Sequence, residues 1–395
     1  MNQDKSTQRV ILPGQTIGIL GGGQLGRMIV LEGRRMGYRF VVLDPTPDSP
    51  TGQVADRQIE ASFTDVFAAE QLASLSDVIT YEFENVDAEV ALVLEEKSYV
   101  PQGSELLRIT QHRVREKSTL QQAGIPVTPF VPARTLADVK DAIAKLGLPA
   151  VLKTSTGGYD GKGQWLLDES TDLDEIWDEV KDTVAKMPKP TDGVELEPLI
   201  LEKFIRFERE ISAVVARSVR GEVSIFPIAE NVHRHHILHL SIVPARIKPE
   251  LEQRAEVLAG KIADALNVVG LIAVEMFVTP EGDLFVNELA PRPHNSGHYT
   301  YDACMTSQFE QHVRAICNLP LGPTKLLTPV VMVNVLGQHV EPLLSKLPSL
   351  PGNMKVHLYG KQDAKHNRKM GHVNVLASST SDALRQIEET GLWEV

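Results

Sequence analysis

Three short runs rich in β-branched residues, TIGILG from Thr16, FVVLD ending at Asp44 and DVITYEF from Asp77, alternate with helix-like text such as QLGRMIVLEGRRMG. Strands that are apolar nearly throughout must be covered on both faces. The intervening stretches are long enough for crossover helices, so the pattern is that of a parallel α/β unit. This assigns residues 1–112 to one domain. The 395 residues leave room for two or three.

Beyond 112, a helix-like stretch over 114–123 stops at Gly124 and Pro126, and PVTPFVP, a helix over Leu136–Leu146 and AVLKTS follow. This is a small α/β subdomain, a lid over about 124–200. LILEKF and EISAVVA read as adjacent strands, and a helix over 251–266 precedes the strand pair AVEMFVTPEGDLFVNELA. The Pro-rich NLPLGPTKLLTP marks a boundary near 325, giving a domain of 113–325 and a small β-rich one of 326–395.

Acidic residues outnumber basic ones, 52 to 40, and the net charge of −12 repels polyphosphate chains, which argues against non-specific nucleic-acid binding. An anionic small substrate needs a local basic pocket instead. Two cysteines, Cys304 and Cys317, are too few for a disulfide framework and fit a reducing, cytoplasmic setting. MNQDKSTQRV lacks the apolar core of a signal peptide. The best apolar run, 268–278, is broken by Glu275 and too short to span a bilayer, so no membrane association is expected.

Three constellations carry chemistry. In GILGGGQLGRM, Gly21, Gly23 and Gly26 follow a strand, and Asp44 ends the next one. The turn suits a dinucleotide, another phosphate or no ligand at all, because its glycines only let a tight turn expose amides at a helix N-terminus. In AVLKTSTGGYDGKGQWLL, four glycines (157, 158, 161 and 163) lie between two strand-like runs. The spacing and the following strand exclude a Walker A loop. A lid over a nucleotide, with Lys153 and Lys162 reaching phosphates, stands beside a flexible hairpin with solvated lysines. Third, Glu275 and Glu288 are equidistant from the midpoint of Glu281 and Gly282, so a simple hairpin centred there sets them opposite each other. With Asn287 they form a hard-oxygen set for Mg²⁺ shared with a nucleotide; the alternative is a solvated edge pair. In VHRHHILH, residues His233, His235, His236 and His239 either border an anion pocket or are exposed, and a transition-metal site lacks a nearby carboxylate or Cys.

GGGQLGRM, YEFENV, GGYDGKGQW, NELAPRPHNSGH and YGK with RKMGH occur in this order between residue 16 and about 375. On these motifs the chain resembles the ATP-grasp superfamily and, within it, the N5-carboxyaminoimidazole ribonucleotide synthase family. The resemblance implies an ATP-grasp fold, α/β and α+β, with an N-terminal parallel α/β (pre-ATP-grasp) domain and a small β-rich C-terminal domain. It implies ATP- and bicarbonate-dependent carboxylation of aminoimidazole ribonucleotide, with Mg²⁺, in a cytoplasmic homodimer. Arg113 and Lys153 would contact ATP phosphates, and Gly158, Tyr159, Asp160, Gly161, Lys162 and Gly163 would belong to the lid. Glu202, Lys203, Phe204 and Ile205 would hold adenine and Glu210 the ribose hydroxyls. His233 and Asn287 would lie on the nucleotide side, and Glu275 with Glu288 would hold the metal. Lys361 and Arg368 would clamp the ribonucleotide phosphate. Glu82, Tyr159, Asp160, Lys162, Arg292 and His294 would surround imidazole and bicarbonate, while Gly23, Gln24, Leu25, Asn295 and Ser296 would line the substrate side. Asp160, Lys162, Arg292 and His294 are the expected catalytic residues, Asp160 either serving the amine or capping a turn. Lys162 departs from the arginine many members carry, keeping the charge but losing the bidentate fork. A sister ligase using formate or an amino acid shares the ATP motifs, and a nicotinamide-dependent oxidoreductase accounts only for the first glycine turn.

Overall fold

The computed structural model describes residues 9–157, 162–187 and 196–393. The expected site residues Gly158, Tyr159, Asp160 and Gly161 lie outside the described residues.

The alternating N-terminal text forms β1 (Thr16–Leu20), β2 (Arg39–Leu43), β3 (Arg57–Ile59) and β4 (Val78–Tyr81), a parallel sheet in the order β3-β2-β1-β4. Ile17, Ile19, Phe40 and Val42 are fully buried in it, and the helix Gln24–Arg35 covers one face with Leu25, Met28 and Ile29. A second sheet comprises β5 (Phe130–Ala133), β6 (Ala150–Thr154), β7 (Gln164–Leu167) and β8 (Leu199–Lys203), antiparallel in the order β5-β8-β6-β7. The helix Leu136–Leu146, begun by a Thr135–Asp138 capping box, and the helix Leu173–Ala185 pack on it through Val139, Ala142 and Val180.

The third sheet contains β9 (Arg209–Arg217), β10 (Val223–Ile225), β11 (Ala229–Arg234), β12 (Ile237–Val243), β13 (Gly270–Val278), β14 (Leu284–Ala290), β15 (Val330–Leu336), β16 (Met354–Leu358) and β17 (Lys369–Leu376). Its order is β14-β13-β9-β11-β12-β15-β17-β16, with β10 on β9. On one face, Ala255, Ala259, Ile262 and Ala263 of the helix Pro249–Ala265 meet Ile211, Ala213 and Val274, small side chains allowing close approach. The helix Gln308–Ile316 places Phe309, Val313 and Ile316 in the core of the first sheet and so ties the two together.

One expectation changes and one gains detail. LILEKF and EISAVVA are neighbours only in sequence: β8 pairs with β5 and β6, whereas β9 pairs with β10, β11 and β13. Residues 204–208 cross from the small sheet to the large one, and strand patterning carries no information about which sheet a strand joins. The boundary expected near 325 is also bridged by hydrogen bonds, since β12 pairs with β15 and the C-terminal strands extend the central sheet.

Candidate active site

On the β13–β14 hairpin, Glu275 pairs directly with Glu288, as the symmetry of the sequence suggested. The route differs from a simple hairpin. The tip pairs Val278 with Leu284 and Met276 with Val286, so it centres on Glu281, and the register then shifts by one residue. Asn287 is the extra residue of this bulge; in an unbulged register Asn287 would stand opposite Glu275 and Glu288 would face the other side of the sheet. The side chains are half-buried, at 26% for Glu275 and 45% for Glu288, rather than enclosed.

One turn of the helix Arg113–Gln122 grips the bulge residue by residue. Lys117 Nζ donates to the Asn287 carbonyl at 3.0 Å, Arg113 Nη1 pairs with Glu288 Oε2 at 3.0 Å, and Glu116 Oε2 accepts from the Leu289 amide at 3.3 Å. Burial, together with the Glu288 charge, pushes the Glu116 carboxyl up to about 8. Lys153 on β6 lies 2.8 Å from Glu202 Oε2, and Lys117 lies 3.4 Å from Oε1. Burial opposes ionisation of Glu202, but the two lysines outweigh it and hold the group at about 2. The Glu202 side chain is thus committed to Lys117 and Lys153, while Lys203 and Phe204 are exposed beyond it.

Glu210 and His233 form a close ion pair, and His233 is shifted upward because Glu210 overcomes its burial. The neighbouring histidines do not converge. His235 and His236 occupy the β11–β12 turn with φ of 50° and 64°, and His239 is lowered to about 4 by burial and by Arg234. Among the described residues no group of three or more His, Cys, Asp or Glu side chains is arranged to hold a metal.

The first glycine turn is filled by the protein itself. Glu82 accepts from the Gly23 amide at 2.8 Å and the Gly26 amide at 3.0 Å, and Asp44 accepts from the Gly22 amide at 2.7 Å. At Gly21, φ is +105° and a Cβ would stand 2.4 Å from Glu82 Cγ, so only glycine admits the carboxylate. These amides leave no room for a pyrophosphate, which removes the basis of the oxidoreductase reading. Leu25, expected on the substrate side, is 6% exposed in the core; Gln24 is half-buried on the first helical turn.

Arg292 forms a fork with Glu84, with Nε in close contact and Nη2 at 3.1 Å. Burial raises the Glu84 carboxyl, but the guanidinium more than offsets this and brings it to about 2. His294 Nε2 lies 3.1 Å from Glu275 Oε1. Asn295 exchanges amide hydrogen bonds with Asn334, and Ser296 is fully buried, so both side chains point inward. Lys361 donates to the Lys369 carbonyl at 2.8 Å. Burial, with Arg368 and Lys369 nearby, lowers it to about 8, while Glu82 acts in the opposite sense. Gln53 donates to the Gly360 carbonyl at 2.9 Å and fastens this segment to the first domain, whereas Arg368 is exposed. Lys162 is exposed, and at Gly163 φ is +65° with room for a Cβ only 2.7 Å from Thr154 Oγ1.

Comparison with known proteins agrees along the whole chain. The ribonucleotide synthetase preATP-grasp domain matches residues 14–111, the ATP-grasp domain 118–309 and the phosphoribosylaminoimidazole carboxylase C-terminal domain 330–386. The N5-carboxyaminoimidazole ribonucleotide synthase of Bacillus subtilis (strain 168) is 49% identical over 387 residues, spanning 98% of this chain and 97% of that protein. The chain belongs to the N5-carboxyaminoimidazole ribonucleotide synthase family. An ADP complex of an N5-carboxyaminoimidazole ribonucleotide synthetase superposes with a TM-score of 0.92 at 52% identity, covering 98% of this chain and 99% of that one. The Aspergillus clavatus N5-carboxyaminoimidazole synthase with ADP and 5-aminoimidazole ribonucleotide gives 0.84 at 31% identity, covering 95% and 97%. Within this synthase family fold, sequence reasoning missed Glu84, Glu116 and Lys117. Glu84 lies in the quoted YEFENV motif, and its signal was an acid two residues from Glu82; nothing in the text marked Glu116 or Lys117 as buried.

Proposed function

We propose that this chain carboxylates 5-aminoimidazole ribonucleotide at its exocyclic amine, using ATP and bicarbonate, to give N5-carboxyaminoimidazole ribonucleotide in purine biosynthesis. The observation that carries the reading is the meeting of two half-sites at Arg292, which feels the charges of both Glu82 and Glu288. Glu275, Glu288, Arg113 and Lys153 form one wall. Glu82, Arg292 and Lys361, from three distant segments, form the other.

In this reading Arg113 and Lys153 meet the ATP phosphates beneath the 157–163 loop, residues 202–205 border adenine, and Glu210 with His233 serves the ribose. The hairpin also fits Mg²⁺: two facing carboxylates stand beside Asn287 Oδ1, which is buried with no hydrogen-bond partner among the described residues. Magnesium is commonly held by one or two carboxylates and completed by phosphates, and it would neutralise charge on the nucleotide here. A bicarbonate oxygen attacks the γ-phosphorus and ADP leaves. The resulting carboxyphosphate releases CO₂ and phosphate, and the amine adds to CO₂ and loses a proton. Catalysis is then mostly positioning and electrostatics. Arg292 and His294 orient bicarbonate, Asp160 orients the amine, Lys162 adds charge, and Lys361 with Arg368 grips the ribonucleotide phosphate. Lid closure excludes the water that would hydrolyse carboxyphosphate. Residues 1–112, 113–325 and 326–395 divide the labour as substrate floor, nucleotide site and phosphate clamp. A cytoplasmic homodimer accompanies this reading; among the described residues no helix is long and apolar enough to cross a membrane.

The test is ADP release with Mg-ATP and bicarbonate, with and without the ribonucleotide, and with formate replacing bicarbonate. Stimulation that requires ribonucleotide and bicarbonate together, with a carbamate product, is expected. Stimulation by formate alone would assign the chain to a different ligase.

A further inference from the structure

The central sheet interrupts its aliphatic interior with a row of polar side chains on three neighbouring strands, Ser212 on β9, Asn231 on β11 and Ser241 on β12. Their exposures are 1%, 7% and 0%. Ser241 Oγ donates to Asn231 Oδ1 at 2.9 Å, Asn231 Nδ2 donates to Ser212 Oγ at 2.9 Å, and Ser212 Oγ donates to Ser296 Oγ at 2.7 Å. The row ends on His294, where Ser296 Oγ stands 2.8 Å from Nδ1 and the Ser296 amide donates to the same nitrogen at 3.3 Å. On the other side of the ring, Nε2 faces Glu275.

The hydrogens can be followed along this row. The Ser296 amide, at 3.3 Å, favours a lone pair on His294 Nδ1, and the closer Ser296 hydroxyl, at 2.8 Å, secures it there only when its own hydrogen is turned toward the ring. The ring hydrogen is then on Nε2, directed at Glu275. Each serine hydroxyl has a single hydrogen. Because Asn231 donates into Ser212, the Ser212 hydrogen turns to Ser296 and that of Ser296 to Nδ1. A buried polar row in place of packed aliphatics is favourable only when every member is satisfied, and then it defines one arrangement.

We infer that Ser212, Asn231 and Ser241 are positioning residues that hold His294 in its Nε2–H tautomer and thereby fix the orientation of Glu275. The kinetic consequence rests on the proposed function, whereas the tautomer does not. Outer-shell partners of this kind are typically worth 10–100-fold in activity or metal affinity.

The experiment is ¹⁵N NMR of the full chain labelled at histidine, with the His294 signals identified from His294→Gln, alongside steady-state kinetics. Asn231→Asp is nearly isosteric and, read at a pH where the new carboxyl is ionised, accepts only. Ser212 then turns toward it, Ser296 follows, and Nδ1 loses its hydroxyl donor. A single Nε2–H tautomer is expected in the native chain and in Ser212→Thr, and a tautomer mixture in Asn231→Asp. The Asn231→Asp variant should lose roughly 10-fold in kcat with KM for ATP little changed. Ser212→Ala, which deletes a link at a small residue, should move kcat in the same direction, and an ADP-induced rise in melting temperature verifies that each variant is folded. An Nδ1–H tautomer in the native chain, or an unchanged tautomer and kcat in folded Asn231→Asp, would overturn the inference. Failure of the native chain to respond to ribonucleotide would instead count against the proposed function, and the NMR arm would still decide the tautomer.

Discussion

The first glycine turn and the β13–β14 hairpin both hold carboxylates at close quarters, yet they hold them by different means. Glu82 is bound by the Gly23 and Gly26 amides, which belong to the start of a helix and cannot leave while that helix exists. Glu275 and Glu288 are bound by side chains instead, His294 and Arg113. A carboxylate at a helix N-terminus is part of the fold. A carboxylate held by side chains keeps oxygens that can turn to a metal, and the Arg113 guanidinium can turn from Glu288 to a phosphate. The amides of the turn are therefore closed to another partner by the fold itself, whereas the hairpin carboxylates keep oxygens free.

The largest effect should come from Glu288→Ala. Turnover is expected to fall on the order of 10²–10³-fold, the range seen when a fixed electrostatic partner is deleted from a site. With the side chain 45% exposed, the melting temperature should change little. Unchanged ADP release would remove Glu288 from the site. Glu82→Gln should lower stability as well as activity, because its amide NH₂ must face one of the two glycine amides and leave a buried donor unpaired. A loss of about 1–3 kcal/mol in denaturant unfolding follows. If Glu82→Gln kept full stability, the turn would not be closed in the sense argued above.

The sequence carried the features that depend on local period. Parallel strands showed as apolar runs, the second glycine loop showed as strand, loop, strand, and β6 does pair with β7 across it. The opposition of Glu275 and Glu288 was legible for a reason that proved incomplete. The count placed the turn between Glu281 and Gly282, whereas the turn centres on Glu281 and the bulge at Asn287 supplies the missing step. A bulge leaves no periodic trace when its residue is polar and beside a site. Long-range partners were not legible at all. Glu84 and Arg292 are 208 positions apart, and β12 finds β15 across the whole 244–329 interval. Such pairings are chosen by three-dimensional closure, which neither propensity nor alternation encodes.

The smallest effect expected, and the one that tests how the open hairpin is held, concerns Glu116. Buried beside Glu288, its carboxyl is raised to about 8, although Lys117 and Arg113 pull the other way. In the unfolded chain the same group ionises in the ordinary carboxylate range. Between that range and pH 8 the folded state therefore retains a proton that the unfolded state has lost, and stability must fall as pH rises through this window. Glu116→Gln keeps an acceptor for the Leu289 amide and makes the neutral form permanent. It should match the native chain near pH 4 and exceed it near pH 8, read as melting temperature against pH. If Glu116→Gln were instead less stable at pH 8, the carboxyl would be ionised and paired with Lys117. The helix would then grip the bulge by charge, and the hairpin would be more closed than its exposed carboxylates suggest.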